Sequence, residues 1–309
     1  MALEEFKEIA SGLRFPEGPV AMPDGSVILV ELEGQRLTRV SAAGAKTTIA
    51  AMGGGPNGAA IGPDGMVYVC NHGGSGWHED AADGLRPTGQ PSDYSGGRIE
   101  RVDPATGRIE TLYTHCGERP LRGPNDLVFD AHGGFYFTDL GKARERDLDR
   151  GAVYYARPDG SEIREVAGPT LFANGIALSP DGRTLYFVET DAARLWAMDI
   201  KEPGRPERLG WPSPHGARLL YAAGKPYQRF DSMAVDSAGY IAIGTLIRGG
   251  IHVVSPEGEL AEHIPLSDKW TTNICFGGPD MRTALVTCAQ WGKLVAFRWP
   301  RAGLRLNYQ

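Results

Sequence analysis

Six side chains that carry oxygen recur at one point of a repeated pattern: Glu17, Asn57, Asn125, Asn174, Asp231 and Asn273. None of them offers sulfur or imidazole. Brought round a common axis, such a ring suits a hard cation such as Ca2+, Mg2+ or Mn2+ rather than a thiolate-bound metal. Its two carboxylates balance a divalent charge, and its amide oxygens fill the shell without adding repulsion. Water in the remaining positions is a potential nucleophile. Asn57 and Asn273 also suit a plain turn role, because asparagine side chains bond nearby backbone. Glu17 does not, since a buried glutamate is costly without a partner.

Other chemistries are poorly supported. His72 and His78 offer a single short HxxxxxH spacing on a stretch that reads as a loop, which suits a contact with substrate or solvent better than a metal. Ser232 has no GxSxG elbow and no identifiable base. The Gly53-Gly54-Gly55 run precedes a strand rather than a helix, so it is not a phosphate loop. Cys70, Cys116, Cys275 and Cys288 are scattered, with no CxxC pair, and read as reduced, mostly buried thiols of a cytoplasmic protein.

The elements that must position the six oxygens follow from the same repeat. Asp24-Gly25, Asp64-Gly65 and Asp181-Gly182 lie 7 and 8 residues after their polar starters, with His132-Gly133, Ala238-Gly239 and Asp280-Met281 at the same offsets in the other copies. Asp-Gly favours a hairpin because glycine accepts positive φ without steric cost. Apolar, β-rich segments follow, as in Val67-Tyr68-Val69 and Phe135-Tyr136-Phe137. A third strand, usually opened by a small residue, and a fourth before the next starter complete each unit. Four strands repeated six times predict an all-β, six-bladed β-propeller, with the segment from Phe6 to Ala10 completing the last blade. The expected organisation is one domain over residues 1–309.

Starter spacings of 40, 68, 49, 57 and 42 residues expose an insertion at about 72–96. A loop of that length within a compact repeat is more often functional than accidental. Residues 14 or 15 positions after the starters return to the same end of the channel. These are Glu31, Asn71, Asp139, Glu189, Thr245 and Thr287, and all are polar. They are expected to form a second layer around the site.

Composition narrows the function. The 309 residues carry a net charge of −6 with no basic run, which disfavours nucleic acid. No stretch is long and apolar enough to span a bilayer, and Met1 to Lys7 lacks the pattern of a secretory leader. The expected partner is a small molecule, and the expected state a monomer or small homo-oligomer in the cytoplasm.

Over nearly its whole length the chain resembles the gluconolactonase, senescence-marker-protein and luciferin-regenerating-enzyme family. The likeness rests on Phe15-Pro16-Glu17-Gly18-Pro19, Pro124-Asn125-Asp126, Ala173-Asn174-Gly175-Ile176-Ala177 and Asp231-Ser232-Met233-Ala234-Val235-Asp236. The resemblance implies that Glu17, Asn174 and Asp231 hold one divalent metal, and that Asn125 binds metal or substrate. It implies calcium first, with Zn2+, Mn2+, Mg2+ or Fe2+ as other choices. The implied activity is hydrolysis of a small, sugar-type lactone by metal-activated water. In that scheme Asp231 accepts the water's proton, and Asn125, Arg122, Asn57 and His72 contact substrate. Pro120-Leu121-Arg122-Gly123 departs from the sugar-lactonase pattern, and the insertion exceeds the minimal family blade. A phosphotriesterase or aryl esterase on the same metal, and a non-enzymatic propeller with structural calcium, are the alternatives.

Overall fold

The computed structural model describes residues 6–309; Met1–Glu5, the start of the segment read for a leader, lie outside them. No α-helix occurs among the described residues. The strands form six sheets of four or five strands, arranged as successive blades. Blade one shows the pattern, with Pro16–Ala21 innermost, then Val27–Glu31, Arg36–Val40 and Lys46–Ala51 outermost. The inner strands of the other blades are Pro56–Ile61, Pro124–Phe129, Ala173–Leu178, Arg229–Val235 and Thr271–Gly277. Each begins at or within two residues of its starter. The six-bladed expectation holds. Blade four departs from four strands by adding the short segment Arg205–Pro206.

Hydrophobic packing explains why the blades close into a ring. Each inter-blade gap holds one apolar cluster. Val20, Ile28 and Val30 of blade one, for example, meet Ala59, Val67 and Val69 of blade two. The last gap closes in the same way, with Leu29 and Val40 against Cys275, Leu285 and Leu294. Lys7–Ala10 pairs antiparallel with Lys293–Arg298 and covers the edge of the sixth blade. The chain's beginning therefore removes a free sheet edge, as its sequence position predicts.

The expected loop at 72–96 contains an ordered hairpin, Trp77–Asp80 paired with Gly84–Pro87. Trp77 and Leu85 pack with Phe15, Leu32, Ala289 and Trp270. The Leu85 amide donates to the Gln290 carbonyl at 3.0 Å, and the Gln90 amide to the Ala143 carbonyl at 3.1 Å. Arg14 reaches Glu79 at 2.8 Å. A segment rooted in blade two thus reaches the loops of blades six, one and three, forming a lid over the starter end of the channel. From the opposite end a cavity of about 420 Å3, bordered by Val20, Leu127, Met233 and Phe276, reaches up the channel to Gly18, Asp126 and Asn273. The C-terminal residues cross it, with Asn307 donating to the Phe129 carbonyl and Gln309 to the Ala21 carbonyl, both at 2.9 Å.

Candidate functional site

A local irregularity places the six starters. In every blade the pairing of the inner strand with its neighbour slips beside the starter: between Glu17 and Val20, Pro56 and Ala59, Pro124 and Leu127, Ala173 and Ile176, Phe230 and Met233, and Thr271 and Asn273. A bulge bends the strand and redirects its side chains. It also brings neighbouring inner strands into close contact. A Cβ on Gly18 would lie 2.5 Å from the Asn57 carbonyl oxygen, and one on Gly58 would lie 2.5 Å from that of Asn125. Glycine after the starter is therefore a packing requirement in these two blades.

All six starters are buried. Glu17 Oε2 accepts from the Gly18 amide and from Asn273 Nδ2, each at 2.9 Å. Asn273 Oδ1 accepts from the Ile274 amide at 2.8 Å, so this asparagine is consumed in holding Glu17 and its own strand. Asn174 Nδ2 donates to Thr190 Oγ1 at 3.1 Å, and its Oδ1 faces Ser232 Oγ at 3.5 Å. The side-chain oxygens of Asn57 and Asn125 are buried without a hydrogen-bond partner. An unsatisfied buried amide oxygen costs about 1–3 kcal/mol, so two together point to a missing electrophilic partner.

The electrostatics point the same way. Burial raises the pKa of Glu17, and the Asp231 charge raises it further; the bonds from Asn273 and Gly18 oppose the rise. Asp231 is also raised, by burial first, with Asn174 and Arg229 opposing. Asp126, the next residue after Asn125, is pushed up to about 7 by burial. Two buried acids that repel one another are stabilised by a cation between them. No group of three or more His, Cys, Asp or Glu side chains suited to a metal occurs among the described residues. The sequence-derived candidates are instead two carboxylates and two amides, Glu17, Asp231, Asn174 and Asn125, whose oxygens are of the type that a hard cation takes.

In the second polar layer, four members hold the loop that leads into their own starter. Glu31 accepts the Arg14 amide at 2.8 Å, Asn71 the Gly55 amide at 2.9 Å, and Glu189 the Leu171 amide at 2.7 Å. Asp139 accepts the amides of Arg122, Gly123 and Gly141 at 2.7–2.8 Å. Thr245 donates to the Gly250 carbonyl and Thr287 to the Asn273 carbonyl.

Arg122 lies at the rim, about half exposed, with Nε 4.0 Å from Asp149. Tyr94 of the lid donates to the Arg122 carbonyl at 2.6 Å. His72 is buried beside Gly55, two residues before Asn57, and its amide donates to the Gly55 carbonyl at 2.8 Å. His78 pairs with Asp80 on the exposed side of the lid hairpin. Sequence reasoning missed Lys142. This buried lysine donates from Nζ to His72 Nδ1 at 2.9 Å and to the Gly74 carbonyl at 2.7 Å. Nothing in the repeat flags Lys142, because it sits in a loop outside the hairpin register.

Comparison with known proteins gives the family and the fold. Residues 15–290 match the family model described as the SMP-30/Gluconolactonase/LRE-like region. A 6-deoxy-6-sulfogluconolactonase of Pseudomonas putida is 26% identical over 259 residues, covering 69% of this chain and 83% of the relative. A gluconolactonase of Zymomonas mobilis is 28% identical over 302 residues, covering 87% and 75% respectively. The crystal structure of a calcium-binding regucalcin from Agrobacterium tumefaciens superposes with a TM-score of 0.74. It is 20% identical and covers 98% of each chain, a likeness of fold.

Proposed function

The chain belongs to the SMP-30/gluconolactonase/LRE-like family, and from that premise we propose that it hydrolyses a small, sugar-type lactone with the help of one divalent cation. Glu17, Asn174 and Asp231 would hold that cation, with Asn125 beside them. The observation that carries the reading is the mismatch in the ring: two buried, mutually repelling carboxylates beside buried amide oxygens that have no partner. Relatives that act by name on gluconolactone and on its 6-sulfo analogue support the lactone class. A neighbour of the same fold described as calcium-binding supports the cation.

When bound, a divalent ion would supply Lewis-acid polarisation of the ester carbonyl and a lowered pKa for water. The chain's own groups do the rest. Asp231 accepts the proton of the attacking water through the carboxylate oxygen that does not hold the cation. As the ring C–O bond breaks, the same proton passes to the leaving oxygen, so the carboxylate is regenerated. Asn125 and Asn57 present neutral amides that orient the substrate without adding charge. Glu17 stays fixed through Asn273 and Gly18. The lid limits access of bulk water.

The test combines metal exchange with one substitution. Chelation is expected to abolish hydrolysis of sugar and aliphatic lactones while the propeller remains folded, and calcium or another divalent ion to restore it. Asp231→Asn is expected to lower kcat at least 100-fold with excess metal. Near-normal turnover in that variant removes Asp231 from proton transfer. The calcium-binding neighbour favours one further reading, a structural ion without turnover. That reading gains if chelation unfolds the protein and no lactone or aryl ester reacts.

A further inference from the structure

The pairing of His72 with Lys142 is explained by neither the metal ring nor the blade repeat. His72 Nδ1 lies 3.2 Å from the Gly74 amide and 2.9 Å from Lys142 Nζ. The Gly74 amide can only donate, so Nδ1 is the bare, accepting nitrogen and the ring proton sits on Nε2, with Lys142 as a second donor to Nδ1. Nε2 has no hydrogen-bond partner among the described residues. The ring rests on the backbone of Gly55, where an added Cβ would lie 2.3 Å from Cε1 and 2.9 Å from Nε2. Two residues further on is Asn57, whose buried side-chain oxygen is also unpartnered. The segment leading into blade two thus has an unpartnered ring N–H packed on Gly55 and an unpartnered side-chain oxygen two residues further on.

Lys142 is placed to maintain that state. Its loop is tied to the one before Asn125 by a single carboxylate, because Asp139 accepts amides from Arg122, Gly123 and Gly141. Its ammonium lies 5.4 Å from the centre of the Tyr94 ring in the lid. No carboxylate forms an ion pair with it among the described residues, and burial pushes its pKa down to about 7, with the charges of Asp139 and Asp149 opposing. The groups facing His72 are therefore Lys142 from blade three and Arg98 from blade two, with Tyr94 above the lysine. Burial opposes a charge on the imidazole most strongly, and Arg98 and the protonated form of Lys142 oppose it further.

We propose that Lys142 is a positioning residue that locks His72 as a neutral Nε2–H donor, and that this N–H binds an oxygen of the substrate beside Asn57. His72 then orients substrate and does not act as a base. The substrate half of the proposal rests on the lactonase reading; the tautomer half does not.

The experiment is 15N NMR of imidazole-labelled protein, followed from about pH 5 to about pH 9, the span in which a free histidine titrates. For His72 the wild type is expected to show one neutral Nε2–H tautomer throughout. An Nδ1–H tautomer, or titration near the ordinary histidine value, overturns the proposal without any variant. Lys142→Met is expected to release the lock, giving mixed tautomers or a titrating ring, and Lys142→Arg to restore it. An unchanged His72 signal in Lys142→Met removes Lys142 from the role. For the substrate half, His72→Phe is expected to raise KM for the best lactone about 10-fold or more, with kcat less affected, while His72→Gln retains most binding. Equal KM values for wild type and His72→Phe overturn that half. If the wild type opens no lactone, the lactonase reading fails, and the NMR result still decides the lock.

Discussion

At Glu17 the fold holds an ionisable group that it does not neutralise by itself. The carboxylate has two good donors, yet burial and Asp231 still raise its pKa, so its charged form is disfavoured without a cation. Replacing it by glutamine keeps an oxygen for the Gly18 and Asn273 bonds and removes the repulsion. Glu17→Gln is therefore expected to stabilise the metal-free protein by about 1–2 kcal/mol. It should also lose most of the rise in melting temperature that calcium gives the wild type. Denaturation with chelator and with calcium checks both. A variant less stable than wild type in chelator shows that the repulsion is not significant. Glu17 was legible in the sequence because a glutamate is an unusual choice at a turn. The spent state of Asn273 was not, since an amide's partners depend on which strands meet.

Strands and loops set the precision of the site. The carboxylate of Asp139 satisfies three backbone amides at the mouth, two of them just before Asn125. Asp139→Ala leaves those donors unpaired and is expected to cost about 3 kcal/mol. Its urea midpoint should fall well below that of Thr245→Ala, which loses one bond to a carbonyl. A second element-level effect comes from His215, which is buried against Trp196 and Phe187 with neither ring nitrogen hydrogen-bonded and with Nε2 3.9 Å from Glu189 Oε1. Burial first, then nearby arginines, pushes it down to about 4, against 6.5 for the free group. The unfolded chain thus takes up a proton that the folded chain refuses. Stability from this residue is fully present above about pH 6.5 and falls as pH drops toward about 4, by roughly 2 kcal/mol between pH 7 and pH 5. His215→Phe should reduce that acid loss, as read from urea denaturation at the two pH values. An unchanged acid slope would count against it.

The whole molecule is a ring, and a ring must be closed. Six apolar clusters bridge the six gaps, and Lys7–Ala10 covers the edge of the last sheet. Phe6 adds an edge-to-face contact with Phe297 at 4.9 Å. Deleting residues 1–10 uncovers the strand Lys293–Arg298 and removes part of the closing cluster. The expected result is a loss of about 3 kcal/mol or more and concentration-dependent association through the open edge. Melting curves and size-exclusion chromatography at two concentrations test it. A monomer of unchanged stability would show that the edge needs no cover.

The sequence by itself determined the blade count, the closure of the ring and the six oxygen-bearing starters. Each follows from local chemistry repeated in register: Asp-Gly turns, apolar strands and one polar residue at a constant offset. Only the tertiary structure decided which of those oxygens remain unspent. It separated Asn273, bonded to Glu17, from Asn57 and Asn125, whose oxygens are left free. It turned most of the second polar layer into braces for the mouth loops, and the insertion into a hairpin reaching three other blades. It also brought Lys142 to His72 across 70 positions of chain. Hydrogen bonds and charge interactions act over a few ångströms of space, and residues far apart in the chain come that close only once the ring has closed.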